Sequence, residues 1–143
     1  MNSRIIQLAT ALAVLLLSTI AVSAQTTTKD TLLRANIPFA FVTGGVHLPA
    51  GEYRFYHPGN PYVIVIENND GTARAMTIVH PSATNSRETN TKLVFNKYGT
   101  EYFLAQVWTE RNQEVHQCFR CRMEQTFMAK VRRPTVVVVA AMR

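Results

Sequence analysis

The sequence predicts a mainly β fold, an antiparallel β-sandwich or partly open small barrel of about seven strands, with one helix ahead of a C-terminal strand. Three observations predict it. Short apolar runs alternate at period two, turn residues punctuate them at close intervals, and only the stretch 112–131 carries a helical repeat free of glycine and proline.

Taken in order, Ala35, Ile37, Phe39 and Phe41 fall on one side of a strand over 35–42. Pro38 has no amide hydrogen to offer a ladder, which restricts that strand to an edge or a bulge. Gly44-Gly45 makes a turn, and Leu48-Pro49-Ala50-Gly51 leads into a second strand over 52–56 with Tyr53 and Phe55 on one face. The run 62–66 is apolar on both faces and β-branched, the pattern of a central strand covered on both sides. Asn68-Asn69-Asp70-Gly71 is a hairpin signal, because its turn positions need positive φ. A fourth strand over 72–79 ends at His80-Pro81, and 82–91 reads as a polar loop.

Strands over 93–98 and 102–108 flank Gly99-Thr100 and form another hairpin. Over 112–131, Val115, Phe119, Met123, Phe127 and Val131 recur at i, i+4 spacing, as on an amphipathic helix, although Arg120, Arg122 and Lys130 intrude on that face. Pro134 stops the helix. The valine-rich run 135–141 then reads as a buried strand, which must pair inside the sheet or become an aggregation hazard. The helix is expected to cover an edge or an open end of the sheet.

The first residues have a different character. Arg4 supplies a positive flank, 5–22 is apolar apart from four polar residues, and Val22-Ser23-Ala24 places small residues ahead of a polar turn in composition. This is the pattern of a signal peptide cleaved after Ala24. The competing reading is an uncleaved anchor, since about 20 apolar residues span a bilayer. No cysteine lies near the cleavage point to carry a lipid. The expected organisation is a signal peptide over 1–24, a polar leader over 25–33 and one β-rich domain over 34–143, placed in the periplasm or outside the cell. No transmembrane segment is expected in the mature form.

Without the expected signal peptide over 1–24, fourteen basic residues face nine acidic ones, and the whole excess lies from Arg111 onward. There Arg111, Arg120, Arg122, Lys130, Arg132, Arg133 and Arg143 oppose only Glu114 and Glu124. Arg111, Arg120, Arg122, Lys130, Arg132 and Arg133 form a candidate basic surface, able to attract anionic lipid or acidic polysaccharide; a solvated helix face is the competing reading. No motif of a nucleic-acid-binding module is present.

Cys118 and Cys121 are the two cysteines, spaced Cys-x-x-Cys. They are candidates for a local or intermolecular disulfide, or for a redox pair like those at helix N-termini. A bridge across so short a loop stabilises little. No metal site is expected, since zinc needs four structural ligands and Cys118, Cys121 and His116 supply three, while His47, His57 and His80 lie in separate turns. No cofactor motif stands out. Nothing joins two of Glu52, Glu67, Asp70, Glu88, Glu101 and Glu110 into a glycosidase-type pair. His80, Ser82 and Ser86 share a loop without a nucleophile elbow. The strand aromatics Tyr53, Phe55, Tyr56, Tyr62, Tyr98, Tyr102 and Trp108 are core if buried and a sugar-stacking platform if exposed.

Four stretches, 34–42, 48–53, 92–99 and 102–108, give the chain a resemblance to an uncharacterised group of small secreted β-rich proteins from soil bacteria, notably acidobacteria. The resemblance implies export, a charged helix after the tryptophan-bearing strand and a valine-rich last strand, and it implies no catalytic residue. Cys118-Phe119-Arg120-Cys121 departs from the group's pattern. The expectation is an exported, non-enzymatic β-module that binds or scaffolds an envelope or extracellular partner, such as an anionic polysaccharide or a protein. The alternative is a thiol–disulfide redox protein using Cys118 and Cys121. Oligomeric state is not legible.

Overall fold

A computed structural model describes residues 30–83, 90–110, 114–131 and 133–143. The expected signal peptide, Arg111 and Arg132 lie outside the described residues. The strands are β1 (Thr31–Ile37), β2 (Phe41–Thr43), β3 (Val46–Leu48), β4 (Gly51–Tyr56), β5 (Val63–Asn68), β6 (Arg74–Ala83), β7 (Lys92–Tyr98), β8 (Glu101–Thr109), β9 (Glu114–Cys118) and β10 (Thr135–Ala140). One helix, α1 (Arg122–Lys130), stands between β9 and β10. None of the described helical residues forms a helix long and apolar enough to cross a membrane.

The protein is mainly β, with one helix before a C-terminal strand, as the patterning predicts. The strands number ten among the described residues, and the three additional ones have specific origins. The strand expected over 35–42 is broken at Pro38 into β1 and β2; β3 is a short return strand; β9 forms where a helix was expected. β1 also begins at Thr31, ahead of Arg34, where the patterning starts the domain.

All pairings are antiparallel except the single parallel pair between Val42 of β2 and Phe103 of β8. The path runs β1-β4-β5-β6-β9-β8, from which β7 and then β10 continue on one side and β2-β3 on the other. β6 is the hinge strand: residues 74–78 pair with β5, and residues 79–83 pair with β9. The strand was expected to end at His80-Pro81, yet it runs on through them. Val79 donates to Tyr62 O on the β5 side, so position 81 points its nitrogen the same way, past the end of β5, where no acceptor is lost. The two ends of the sheet meet at one antiparallel bridge, Arg34 with Met142, and no ladder joins β1 to β10 among the described residues. The sheet is therefore open and is not closed into a barrel.

Folding the sheet at β6 brings the inner faces together over one core of Leu33, Ile37, Phe55, Ile64, Ile66 and Leu93, among others. Phe41 sits at its centre, edge-on to Tyr53 of β4 at 5.3 Å and to Phe95 of β7 at 5.5 Å. Each fully buried side chain such as Phe41, Phe55 or Phe95 contributes about 1.5–3 kcal/mol. Phe41 reaches this position because the chain leaves β1 at Pro38 and crosses to β8. Of the inward series that alternation predicts, Ala35, Ile37 and Phe41 are buried and Phe39 packs at the margin, and Leu33, ahead of the expected strand, is buried with them.

The helix does not cover an edge. It lies on the outer face of the sheet, where Met123, Phe127 and Met128 pack on Val42, Tyr98 and Phe103 in a second, smaller core. Its predicted start at 112 is displaced to Arg122, because residues 114–118 pair with both β6 and β8. Phe119, expected on the helix's apolar face, is instead 63% exposed. β10 is also less enclosed than expected: it pairs with β7 alone, turning Val137 and Val139 toward the core and leaving Val136 and Val138 exposed.

Candidate functional site

The outer face of β7, β8 and β9 is only partly covered by α1, and the uncovered part forms a cleft of about 760 Å³. Its floor is Val94 and Asn96 of β7 with Ala105 and Gln106 of β8. Register explains the floor. Val94 opposes Gln106, and the irregularity at Val94/Phe95 sets Ala105 outside the pairing, so these side chains share the outer face while Leu93, Phe95 and Val107 point into the core. Gln117 of β9, paired with Gln106, and His80 of β6, paired with Gln117, continue the surface. The remaining wall is the link from β9 to α1, with Cys118, Phe119 and Arg120, followed by Glu124 and Gln125 of the first helical turns.

Glu124 is the most constrained group in the cleft. It is only 3% exposed, although it is a carboxylate. Its Oε1 accepts from Asn96 Nδ2 at 2.9 Å and from Tyr98 Oη at 3.4 Å, and Arg120 Nε stands 3.9 Å away. Buried charge needs such partners, since desolvation otherwise costs several kcal/mol. Glu124 also sits in the first turn of α1, where the helix dipole favours an anion. The effect reaches its neighbours: burial first, and then the Glu124 charge, raises the Tyr98 phenol, with Arg120 opposing.

The cysteines fall on two sides of this wall. Cys118 ends β9, and Cys121 is the N-cap residue of α1, with no side-chain cap bond. Both are free, so no disulfide is present. Cys118 retains some residue surface at the cleft, yet burial around its thiol, reinforced by Glu124, pushes it up to about 12. A nucleophilic thiol requires the opposite shift.

Of the basic residues, Arg120 lines the cleft, while Arg122, Lys130 and Arg133 are exposed and have no acidic partner within ion-pairing distance among the described residues. Arg122 opens α1 and Lys130 closes it, eight residues apart, while Arg133 lies beyond the helix. The aromatics divide as follows: Tyr53, Phe55, Tyr56 and Tyr98 are buried, Tyr102 and Trp108 are half-buried, and Tyr62 is exposed. Trp108 has a specific task at the floor. Its Nε1 donates to Gln106 Oε1 at 2.9 Å, beneath Lys92 Nζ at 4.4 Å from the ring.

A second cluster, invisible in the linear spacing, is the pair His57 and His116, whose ring centroids are 5.2 Å apart. His57 Nδ1 donates to Val63 O at 2.7 Å, and His116 is 2% exposed with its Nδ1 unpartnered. Burial, then the neighbouring His57, lowers the His116 imidazole, against smaller opposing effects of Glu114 and Val107. Among the described residues no group of three His, Cys, Asp or Glu side chains is placed to hold a metal ion.

Comparison of the chain with protein-family models, curated proteins and solved structures finds no match. Any functional reading therefore starts from the cleft itself. It combines one charged pair, Arg120 and Glu124, with the amides of Asn96, Gln106, Gln117 and Gln125 and with exposed apolar surface at Phe119 and Val136. Sequence reasoning singled out Arg120 and Cys118 but passed over Glu124, Asn96 and Gln106. The available signal was that Glu124 is one of only two acids in the basic segment from Arg111 onward.

Proposed function

We propose that this protein is an exported, non-enzymatic β-module that binds or scaffolds a cell-envelope or extracellular partner, foremost an anionic polysaccharide. The observation that carries the reading is the cleft beside α1, where amide side chains and an arginine surround a space large enough for a small ligand or one segment of a polymer. Amides both donate and accept, which suits hydroxyl-rich ligands, and an exposed aromatic ring suits the C–H face of a sugar. Export to the periplasm or beyond rests on the leader pattern over 1–24. The test is co-sedimentation of the mature protein with peptidoglycan, with an anionic polysaccharide and with liposomes, at low and high salt. Binding that weakens with salt is expected; no binding to any of the three removes the proposal.

The alternative, a thiol–disulfide protein, has one observation in its favour: Cys121 occupies the N-cap of α1. Against it stands the raised Cys118 thiol. Turnover in an insulin-reduction assay, abolished by Cys121→Ser, would establish it over the binding reading.

A further inference from the structure

We infer that the cleft selects a saccharide bearing a carboxylate, a uronic-acid unit being the simplest example, and that Arg120 is the residue that recognises the carboxylate. The inference rests on the binding-module reading and names the ligand chemistry of that same site.

Its starting point is the division of labour around Glu124. Oε1 takes both protein hydrogen bonds, and Arg120 Nε stands 3.9 Å from it in an ion-pair contact, so the Nε side of the guanidinium faces Glu124. The two terminal amino groups of Arg120 have no partner among the described residues, and the side chain is half-exposed within the cleft wall. A guanidinium with its Nε side toward Glu124 and its terminal nitrogens open presents a planar fork that can donate two parallel hydrogen bonds to a carboxylate.

The floor is oriented for the rest of a sugar ring. Gln106 accepts the Trp108 indole hydrogen on Oε1, which turns its amide nitrogen into a donor of fixed position. Asn96 spends its nitrogen on Glu124 and keeps its carbonyl oxygen for a ligand hydroxyl. One donor, one acceptor and an arginine fork thus line the cleft, with Phe119 at its wall. The Glu124 carboxylate repels an anion, yet its neutral donors and near-complete burial leave Arg120 as the charge nearest the open space.

The experiment is calorimetric titration of the mature protein with trigalacturonate and with its methyl ester, in which each carboxylate loses its charge and gains a methyl group. The acid is expected to bind about tenfold more tightly, the size of one charge-assisted contact. Arg120→Gln should erase that ratio without altering the circular dichroism spectrum, because Asn96 and Tyr98 still hold Glu124. Arg120→Lys, which keeps the charge but loses the fork, should leave only part of the ratio. Arg122→Gln, outside the cleft, should leave it intact. A ratio near one in the unmodified protein, no binding of either trisaccharide, or equal losses in Arg120→Gln and Arg122→Gln overturns the inference. Retained co-sedimentation with envelope polymers in those cases leaves the binding-module reading standing; loss of both removes the two together.

Discussion

Asn96 of β7 donates to Glu124 of α1 across 2.9 Å, and this bond fastens the helix to the outer face of the sheet at the point where the cleft begins. Tyr98, two residues along the same strand face, reaches the same carboxylate oxygen. Replacing Glu124 by alanine therefore removes a shared acceptor and strands two donors. The expected loss is about 1–3 kcal/mol, with Glu124→Gln losing less because its carbonyl still accepts. Urea unfolding followed by circular dichroism measures it; equal stability of Glu124→Ala and the parent protein would show that the apolar contacts of Met123, Phe127 and Met128 suffice to hold the helix.

Gly44 and Gly45 turn β2 into β3 with φ of 56° and 82°, a two-residue hairpin open only to residues that tolerate positive φ. A β-carbon at Gly44 would run into the carbonyl oxygen of Met76 on β6, whereas one at Gly99, with φ of 63°, meets nothing. Gly99→Ala should cost about 1–2 kcal/mol from backbone strain. Gly44→Ala should cost clearly more, since backbone of β6 must move as well. Denaturation midpoints of the two variants decide the point, and similar values would refute the close approach.

The His116 imidazole is lowered from its ordinary value of 6.5, so the folded protein favours its neutral form. Its contribution to stability is fully present above about pH 6.5 and is lost as the pH falls through the lower folded value. Unfolding midpoints measured from pH 8 down to pH 5 should decline, and His116→Phe should flatten part of that slope. An unchanged slope in the variant would assign the decline to other groups.

Cys118 titrates in the other direction. Its folded value of about 12 stands above the ordinary 9.0, so its contribution is present below pH 9 and fades as the pH climbs toward 12. At pH 8 the folded protein should leave Cys118 unmodified by iodoacetamide, and the urea-unfolded protein should be labelled there. Peptide mass spectrometry distinguishes the two; rapid labelling in the folded state would mean that the thiolate is accessible after all.

Much of the architecture could be read from the residues alone where local rules suffice. Alternation identified the inward set Leu33 apart, from Ala35 to Phe41, and the turn chemistry of Asn68-Asn69-Asp70-Gly71 and of Gly99-Thr100 placed two hairpins. The first of these is secured as expected, with Gly71 N donating to Asn68 O at 3.1 Å and Ala73 N to Asn68 Oδ1 at 3.0 Å. Such contacts join residues a few positions apart, so their chemistry is written in adjacent letters.

The segment from Glu114 to Cys118 shows where that legibility stops. Val115, Phe119, Met123 and Phe127 keep helical spacing, but the first of them lies in a strand because β6 and β8 offer it edges on both sides. Backbone pairing to distant partners outweighed a weak local repeat. The cleft arises likewise: Asn96, Gln106, Gln117 and Glu124 become neighbours only through strand register and helix docking. The sequence by itself determined the β character, the main turns and the inward-facing side chains, since these depend on local period and φ preference. Tertiary structure decided the tenfold stranding, the short helix, the paired histidines and the arginine-bearing cleft, because each depends on pairings between residues far apart in the chain.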